Sequence, residues 1–125
     1  MAHTRGLEYF PGDRKVSGTA GVNLTEHLLY QIDATSNATV TLATIAAPDC
    51  GTPRVASLSG QPCTLDCDGV LIVTAGEALL TVGTGVKAGD GTGKVVAAAA
   101  ADDHIIGVTR TPAAADGDLL SITKF

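Results

Sequence analysis

The chain has 125 residues, of which 45% are hydrophobic but only 3% are aromatic, and it contains no Trp. Its 13 acidic residues and 8 Lys or Arg residues give a formal net charge of −5, which disfavours direct binding to nucleic acid or to an anionic membrane surface. The longest apolar run, 95–101, is far shorter than the ~20 residues that a helix needs to cross a bilayer. These properties predict a single domain with a core of small aliphatic side chains.

Residues 1–24 are predicted to form an extended N-terminal arm. Pro and Gly residues interrupt this segment, and it shows no sustained hydrophobic period, so neither a helix nor a buried strand is favoured. The arm carries the aromatic pair Tyr9 and Phe10. Such a pair is either docked on its own domain or kept for a partner, and both alternatives stay open.

Residues 25–125 are predicted to form an all-β domain, a small β-barrel or β-clip-like fold built from short hairpins. Segments rich in Val, Thr, Ile and Leu alternate with Gly and Pro, which is typical of short strands. The predicted strands are 28–32, 39–44, 54–58, 70–74, 78–82, 94–98, 105–110 and 119–124. The glycine-rich segment 89–93 predicts a tight hairpin whose flanking strands pair.

The two halves of the chain show a weak internal repeat at an offset of roughly fifty to fifty-five positions. Residues 32–40 then align with 87–95, and both halves contain a strand, a polar turn and further short strands in the same order. The predicted repeat units are 28–66 and 78–125, which would form a pseudo-twofold barrel or clip. Alanine-rich β segments also align by chance, so duplication and coincidence both stay open.

No catalytic or metal-binding constellation can be assembled from the sequence. The Gly-Lys pair at 93–94 lacks the glycine spacing and the following hydroxyl of a phosphate-binding loop. Cys50, Cys63 and Cys67 do not have the paired spacing of a zinc site. In the Asp-Asp-His run at 102–104, adjacent side chains on a strand would point to opposite faces. We therefore predict no enzyme activity, no metal and no cofactor.

Five blocks in the second half of the chain occur in the order and spacing of a known family. They are DGVLIVTAG at 68–76, GVKAGD at 85–90, GKVV at 93–96, IGV at 106–108 and ADGDLLSI at 115–122. On these blocks the chain resembles the tailed-bacteriophage capsid cement, or head decoration, proteins. Roughly the last half of the chain carries the resemblance, whereas the first half fits only as the looser repeat unit.

The resemblance implies a structural protein of the virion that is made in the host bacterial cytoplasm. Such a protein binds the outer surface of the assembled major capsid protein lattice and stabilises the head, without direct contact with nucleic acid or membrane. The resemblance also implies self-association, with a homotrimer as the form expected.

The N-terminal arm provides the candidate capsid contacts, because it combines aromatic anchors with a local excess of basic residues. The candidates are Arg5, Tyr9, Phe10, Arg14 and Lys15. The alternative function is a β-clip-like accessory or carbohydrate-binding module. Such a module would be expected to expose an aromatic platform, and outside the arm and the last residue Tyr30 is the one aromatic residue available.

Overall fold

The computed structural model describes residues 7, 9–32, 39–43, 50–89, 92–99 and 104–125. Over this part of the chain the fold is all-β, with eleven strands and no helix, which confirms the predicted fold class. In the same residues no helix is long and apolar enough to span a bilayer. The strands are β1 (Phe10–Pro11), β2 (Lys15–Ala20), β3 (Tyr30–Ile32), β4 (Thr39–Leu42), β5 (Cys50–Pro53), β6 (Pro62–Asp66), β7 (Gly69–Thr74), β8 (Gly85–Ala88), β9 (Val95–Ala97), β10 (Gly107–Thr109) and β11 (Leu119–Lys124).

Strands β2 to β6, which we call the barrel half, form a closed five-stranded barrel in the order β2-β4-β3-β5-β6. Strand β2 closes the barrel because it has two neighbours. It pairs antiparallel with β6, from Lys15 opposite Asp66 to Thr19 opposite Pro62. It also pairs parallel with β4, where Ala20 lies opposite Val40. A closed barrel leaves no unpaired strand edge.

Strands β7 to β11, which we call the sheet half, form a six-stranded sheet together with β1, in the order β1-β7-β11-β10-β8-β9. The longest pairing joins β7 to β11, from Thr74 opposite Leu119 to Gly69 opposite Lys124. The sheet curls until its far strand returns to β7. There Ala75 forms a parallel bridge with Val95.

The two halves use the same scheme of strand pairing. In each half the first strand pairs antiparallel with the fifth, the fifth with the fourth, the fourth with the second and the second with the third. The end of the first strand then meets the third in parallel, at Ala20 and Val40 in one half and at Ala75 and Val95 in the other. The common scheme begins one strand earlier than the predicted repeat units, because β2 and β7 belong to it.

The core consists of two clusters of buried side chains. The smaller cluster lies in the barrel half and includes Tyr30, the one buried aromatic side chain among the described residues. The larger cluster lies in the sheet half and takes in Leu29, Ala43 and Cys50 from the barrel half. A main-chain bond also joins the halves, since the N–H of Leu29 donates to the carbonyl of Gly93 at 2.7 Å. The shared core makes the two halves one folded unit.

The described part of residues 1–24, predicted to be an extended arm, contributes two strands to the fold. Strand β1 pairs with β7, and β2 is one of the five strands of the barrel. Pro11 was interpreted as a breaker, but it lies in an edge strand, where a missing N–H is tolerated. Residues 1–6 and Glu8 lie outside the described residues. Deletion of residues 1–24 would remove a barrel strand, so we do not expect the remaining chain to keep a folded core.

Six predicted strands overlap observed strands, whereas 54–58 and 78–82 fall in loops. These two loops hold only isolated bridges, at Ser57 and Leu79. Their apolar, β-branched composition was misleading because several of their side chains are exposed. The predicted hairpin around 89–93 is confirmed by the antiparallel pairing of β8 with β9; positions 90 and 91 themselves lie outside the described residues.

Gly51 provides a test of the close contact between β5 and β6. A Cβ atom at this position would lie 2.3 Å from the carbonyl oxygen of Asp66, so Gly51→Ala must push two backbones apart. We predict a loss of about 3 kcal/mol in the free energy of unfolding. Gly85→Ala is the matched control, because its Cβ would make only ordinary contacts, 3.5 Å or more from Ile105. Urea denaturation measures both variants, and equal stabilities would contradict the packing described.

Candidate functional site

Tyr9, a candidate contact residue, is fixed to a buried carboxylate. Its hydroxyl donates a hydrogen bond to Asp66 Oδ2, and the Asp66 side chain is only 1% exposed. On the other carboxylate oxygen, Arg54 Nη2 donates at 3.0 Å. These three side chains, which we call the Tyr9–Asp66–Arg54 triad, join the N-terminal segment to β5 and β6. A buried charge of this kind is tolerated because it is both paired and hydrogen-bonded.

The triad raises the pKa of two of its members, Tyr9 and Arg54. Burial, followed by the hydrogen bond to Asp66 and the negative charge of Asp66, raises the pKa of Tyr9 well above its ordinary value of 10.0. The hydrogen bond and charge of Asp66 also raise the pKa of Arg54. Tyr9 therefore stays a neutral hydrogen-bond donor, and Arg54 stays a cation, across the physiological pH range.

Arg14 is likewise used within the fold. Its Nη2 atom donates to the main-chain oxygens of Cys67 at 2.9 Å and Phe125 at 2.8 Å. The buried Lys124 donates to the same two oxygens through Nζ, at 3.1 and 3.2 Å. The N–H of Arg14 also donates to Asp68 Oδ1 at 3.0 Å. Arg14 thus fastens the start of β2 to the link between β6 and β7.

Phe10 and Lys15 remain exposed. Phe10 lies in edge strand β1 opposite Val70, and it is 65% exposed. Lys15 begins β2, where its Nζ atom makes one exposed hydrogen bond to the carbonyl of Gly12 at 3.0 Å. Both aromatic side chains are thus exposed, but Tyr9 is held on the domain through its hydroxyl, whereas Phe10 is the more exposed of the two. Arg5 lies outside the described residues.

A pocket of about 290 Å³ lies beside the triad, where the barrel half meets β7. Its lining residues are Tyr9, Glu26, His27, Thr52, Pro53, Arg54 and Ile72. We call it the junction pocket.

At the edge of this pocket His27 has a left-handed backbone conformation, with a φ of 68°. Its carbonyl accepts hydrogen bonds from the N–H and the hydroxyl of Thr74, at 2.9 and 3.0 Å. A left-handed residue other than glycine is strained unless its surroundings hold it.

A second pocket, of about 380 Å³, lies in the sheet half. In it Lys94 Nζ donates to Asp116 Oδ1 at 2.9 Å. None of the four candidate contact residues that the structure describes lines this pocket. It is therefore separate from the surface that the N-terminal segment forms.

The structure gives no metal cluster in the part of the chain that it describes. Cys50, Cys63 and Cys67 are buried and carry thiols rather than disulfides. Burial raises the pKa of the Cys63 thiol, which keeps it in its less nucleophilic, protonated form. The cysteines therefore act as small apolar side chains in the cores of the two halves.

Sequence reasoning missed Arg54 and Asp66 as members of a site. Asp66 is not singled out from the sequence alone, and Arg54 enters only as the first residue of the predicted strand 54–58. The available signal was weak, since one acidic residue at the end of an apolar strand is common in turns. The triad forms because Tyr9 contacts Asp66 at the end of β6, 57 positions away in the chain.

Replacement of Tyr9 by Phe tests the triad directly. The variant keeps the ring but leaves Asp66 Oδ2 without this donor, so we predict a loss of about 2 kcal/mol in unfolding free energy. Phe10→Leu is the control, and as an exposed substitution it is expected to change stability by less than about 0.5 kcal/mol. If the two variants proved equally stable in urea denaturation, the hydrogen bond would not support the fold.

The raised pKa of Tyr9 also predicts a pH dependence. Because the folded state holds this proton more tightly, its contribution is fully present below about pH 10 and is lost as the pH rises towards the folded pKa. The stability difference between the native chain and Tyr9→Phe should therefore shrink between about pH 8 and about pH 11. Urea denaturation of both proteins at these two pH values measures the difference in unfolding free energy. A difference that stays constant would show that Tyr9 ionises normally.

No protein-family model matches the chain. A search of curated protein sequences also finds no match. Among solved structures, the chain is similar to the crystal structure of the head fiber gp8.5 N base in bacteriophage phi29, with a TM-score of 0.67 and 16% sequence identity. The likeness covers 90% of this chain and 93% of that chain. At this identity it shows a common fold, shared over nearly the whole length of both chains.

Proposed function

We propose that the chain is an accessory structural protein of a phage head. In this role it binds the outer surface of the assembled major capsid protein shell and stabilises it. The observation that carries the proposal is the extent of the fold likeness, because 90% of this chain corresponds to 93% of the phage head fiber base. The likeness thus involves the whole domain rather than one common β motif. The sequence blocks between 68 and 122 support the same class of protein.

Stabilisation would follow from mass action on a repeating lattice. A protein that binds only the assembled shell shifts the equilibrium towards assembly. When one copy contacts two neighbouring subunits, the second contact is favoured by a high effective concentration. Modest contacts repeated over the shell would then suffice, and no catalytic chemistry is required.

All four described candidates are exposed, and the proposed capsid contacts are the two whose side chains are not bonded to a distant part of the chain. Phe10 is the principal candidate, because a large exposed aromatic side chain on a short edge strand is available to a partner. Lys15, which begins β2, is also exposed, and Arg5 stays a candidate from the sequence alone. Tyr9 and Arg14 are instead proposed to position this surface, since their polar groups are engaged within the fold.

The proposal includes self-association as a homotrimer, which the family resemblance implies. Light scattering coupled to size-exclusion chromatography should give three times the 12.5 kDa chain mass. A mass equal to that of one chain at high concentration would contradict the trimer without affecting the capsid proposal.

Co-sedimentation with shells tests the function. The shells are assembled from the major capsid protein encoded in the same genome, without decoration proteins. The native chain should saturate them, and Phe10→Ala should bind about thirtyfold more weakly, as expected for the loss of ~2 kcal/mol from one aromatic anchor.

Leu80→Ala is the matched control, because Leu80 is 70% exposed but lies in the loop after β7. It should bind as the native chain does. Failure of the native chain to bind any shell would overturn the proposed function. Normal binding by Phe10→Ala would instead reject Phe10 as the contact.

A further inference from the structure

The triad belongs to one half of a repeated fold. Thr52 on β5 lies opposite Asp66 on β6, and at the equivalent place in the sheet half Val108 lies opposite Thr123. The same pairing scheme therefore forms without a buried acid. Because a buried charge generally destabilises a fold unless it is fully compensated, closure of the barrel does not explain why Asp66 is present.

Asp66 fixes the position of an exposed cation. Arg54 lines the junction pocket, and its side chain is half exposed while Nη2 bonds to the buried Asp66. A guanidinium carries five N–H donors in a rigid fork, so most of its donors remain for other partners. An arginine held by a buried carboxylate loses little conformational freedom when it binds a second acceptor.

The rest of the junction pocket suits a short side chain with an apolar stem. Pro53, Ile72 and the ring of Tyr9 supply apolar walls, and a volume of about 290 Å³ is small for a pocket. Glu26 contributes a negative charge at the pocket, and His27 Nε2 lies 3.9 Å from its carboxylate. The pocket therefore combines one cation, which the buried carboxylate of Asp66 holds from behind, with one exposed anion and apolar walls.

We propose that the junction pocket binds the carboxylate side chain of a Glu or Asp residue on a partner protein, with Arg54 as its receptor. The guanidinium fork matches the two oxygens of a carboxylate, and the apolar walls would cover the methylene groups. The partner would be the capsid protein, so this step rests on the proposed function. The chemistry of the pocket can be measured without a shell.

The test uses N-acetyl-glutamate methylamide as the probe, with the glutamine and lysine analogues as controls. Titrations are followed through the backbone amide resonances of the full chain. The glutamate probe should bind in the low millimolar range and shift the amides of His27, Thr52 and Arg54. The glutamine analogue should bind at least tenfold more weakly. Equal binding of both, stronger binding of lysine, or no shift at these amides would overturn the proposal.

Two variants should change the affinity in opposite directions. Arg54→Lys retains a positive charge for Asp66 but lacks the fork, so the glutamate probe should bind about fivefold more weakly. Glu26→Gln removes an exposed like charge, so the same probe should bind about threefold more tightly. Since Glu26 is exposed, this second variant tests the pocket even if Arg54→Lys fails to fold. Unchanged affinity in Glu26→Gln would contradict the electrostatic argument.

Shell binding separates the two proposals. If Glu26→Gln and the native chain both bind shells but the glutamate probe does not bind, the pocket proposal fails and the head function stands. If the probe binds at Arg54 but neither the native chain nor Glu26→Gln binds shells, the pocket chemistry stands and the assignment of its partner to the capsid fails.

Discussion

The pairing of the N-terminal segment with the chain around the β6–β7 link is the interaction on which the rest of the structure depends. β2 closes the barrel against β6, and β1 covers the edge of the sheet at β7. The backbones approach closely at this link. A Cβ at Gly69, where φ is +91°, would lie 2.4 Å from the nitrogen of Gly12. The described residues of the N-terminal segment are therefore part of the fold, and any partner meets them as a fixed surface.

This constraint divides the polar and aromatic side chains of the segment into two roles. Tyr9 and Arg14 turn towards Asp66 and Cys67, where they satisfy a buried carboxylate and a main-chain oxygen. Phe10 and Lys15 stay exposed beside them. A surface held in this way loses little conformational entropy when it binds a partner, which suits a protein proposed to make modest contacts many times over a shell.

The all-β class and several strands could be predicted because β-branched runs alternate with Gly and Pro, as at 70–74 and 119–124. β2 could not be recognised, because its small and polar residues show the pattern of a strand only once two neighbours are present. The strand predicted at 78–82 is wrong for the opposite reason, because most apolar side chains of this segment are exposed in a loop. The triad depends on contacts distant in sequence, for which a single sequence gives no signal.

The measurement that tests the central claim most directly is a cryo-EM map of undecorated shells incubated with excess native protein. The proposed function predicts discrete density for the barrel and the curled sheet at one repeated position of the lattice. Phe10 should face the capsid protein, and the junction pocket should lie against the same surface. Shells that remain bare at saturating protein concentration would contradict the assignment to the phage head.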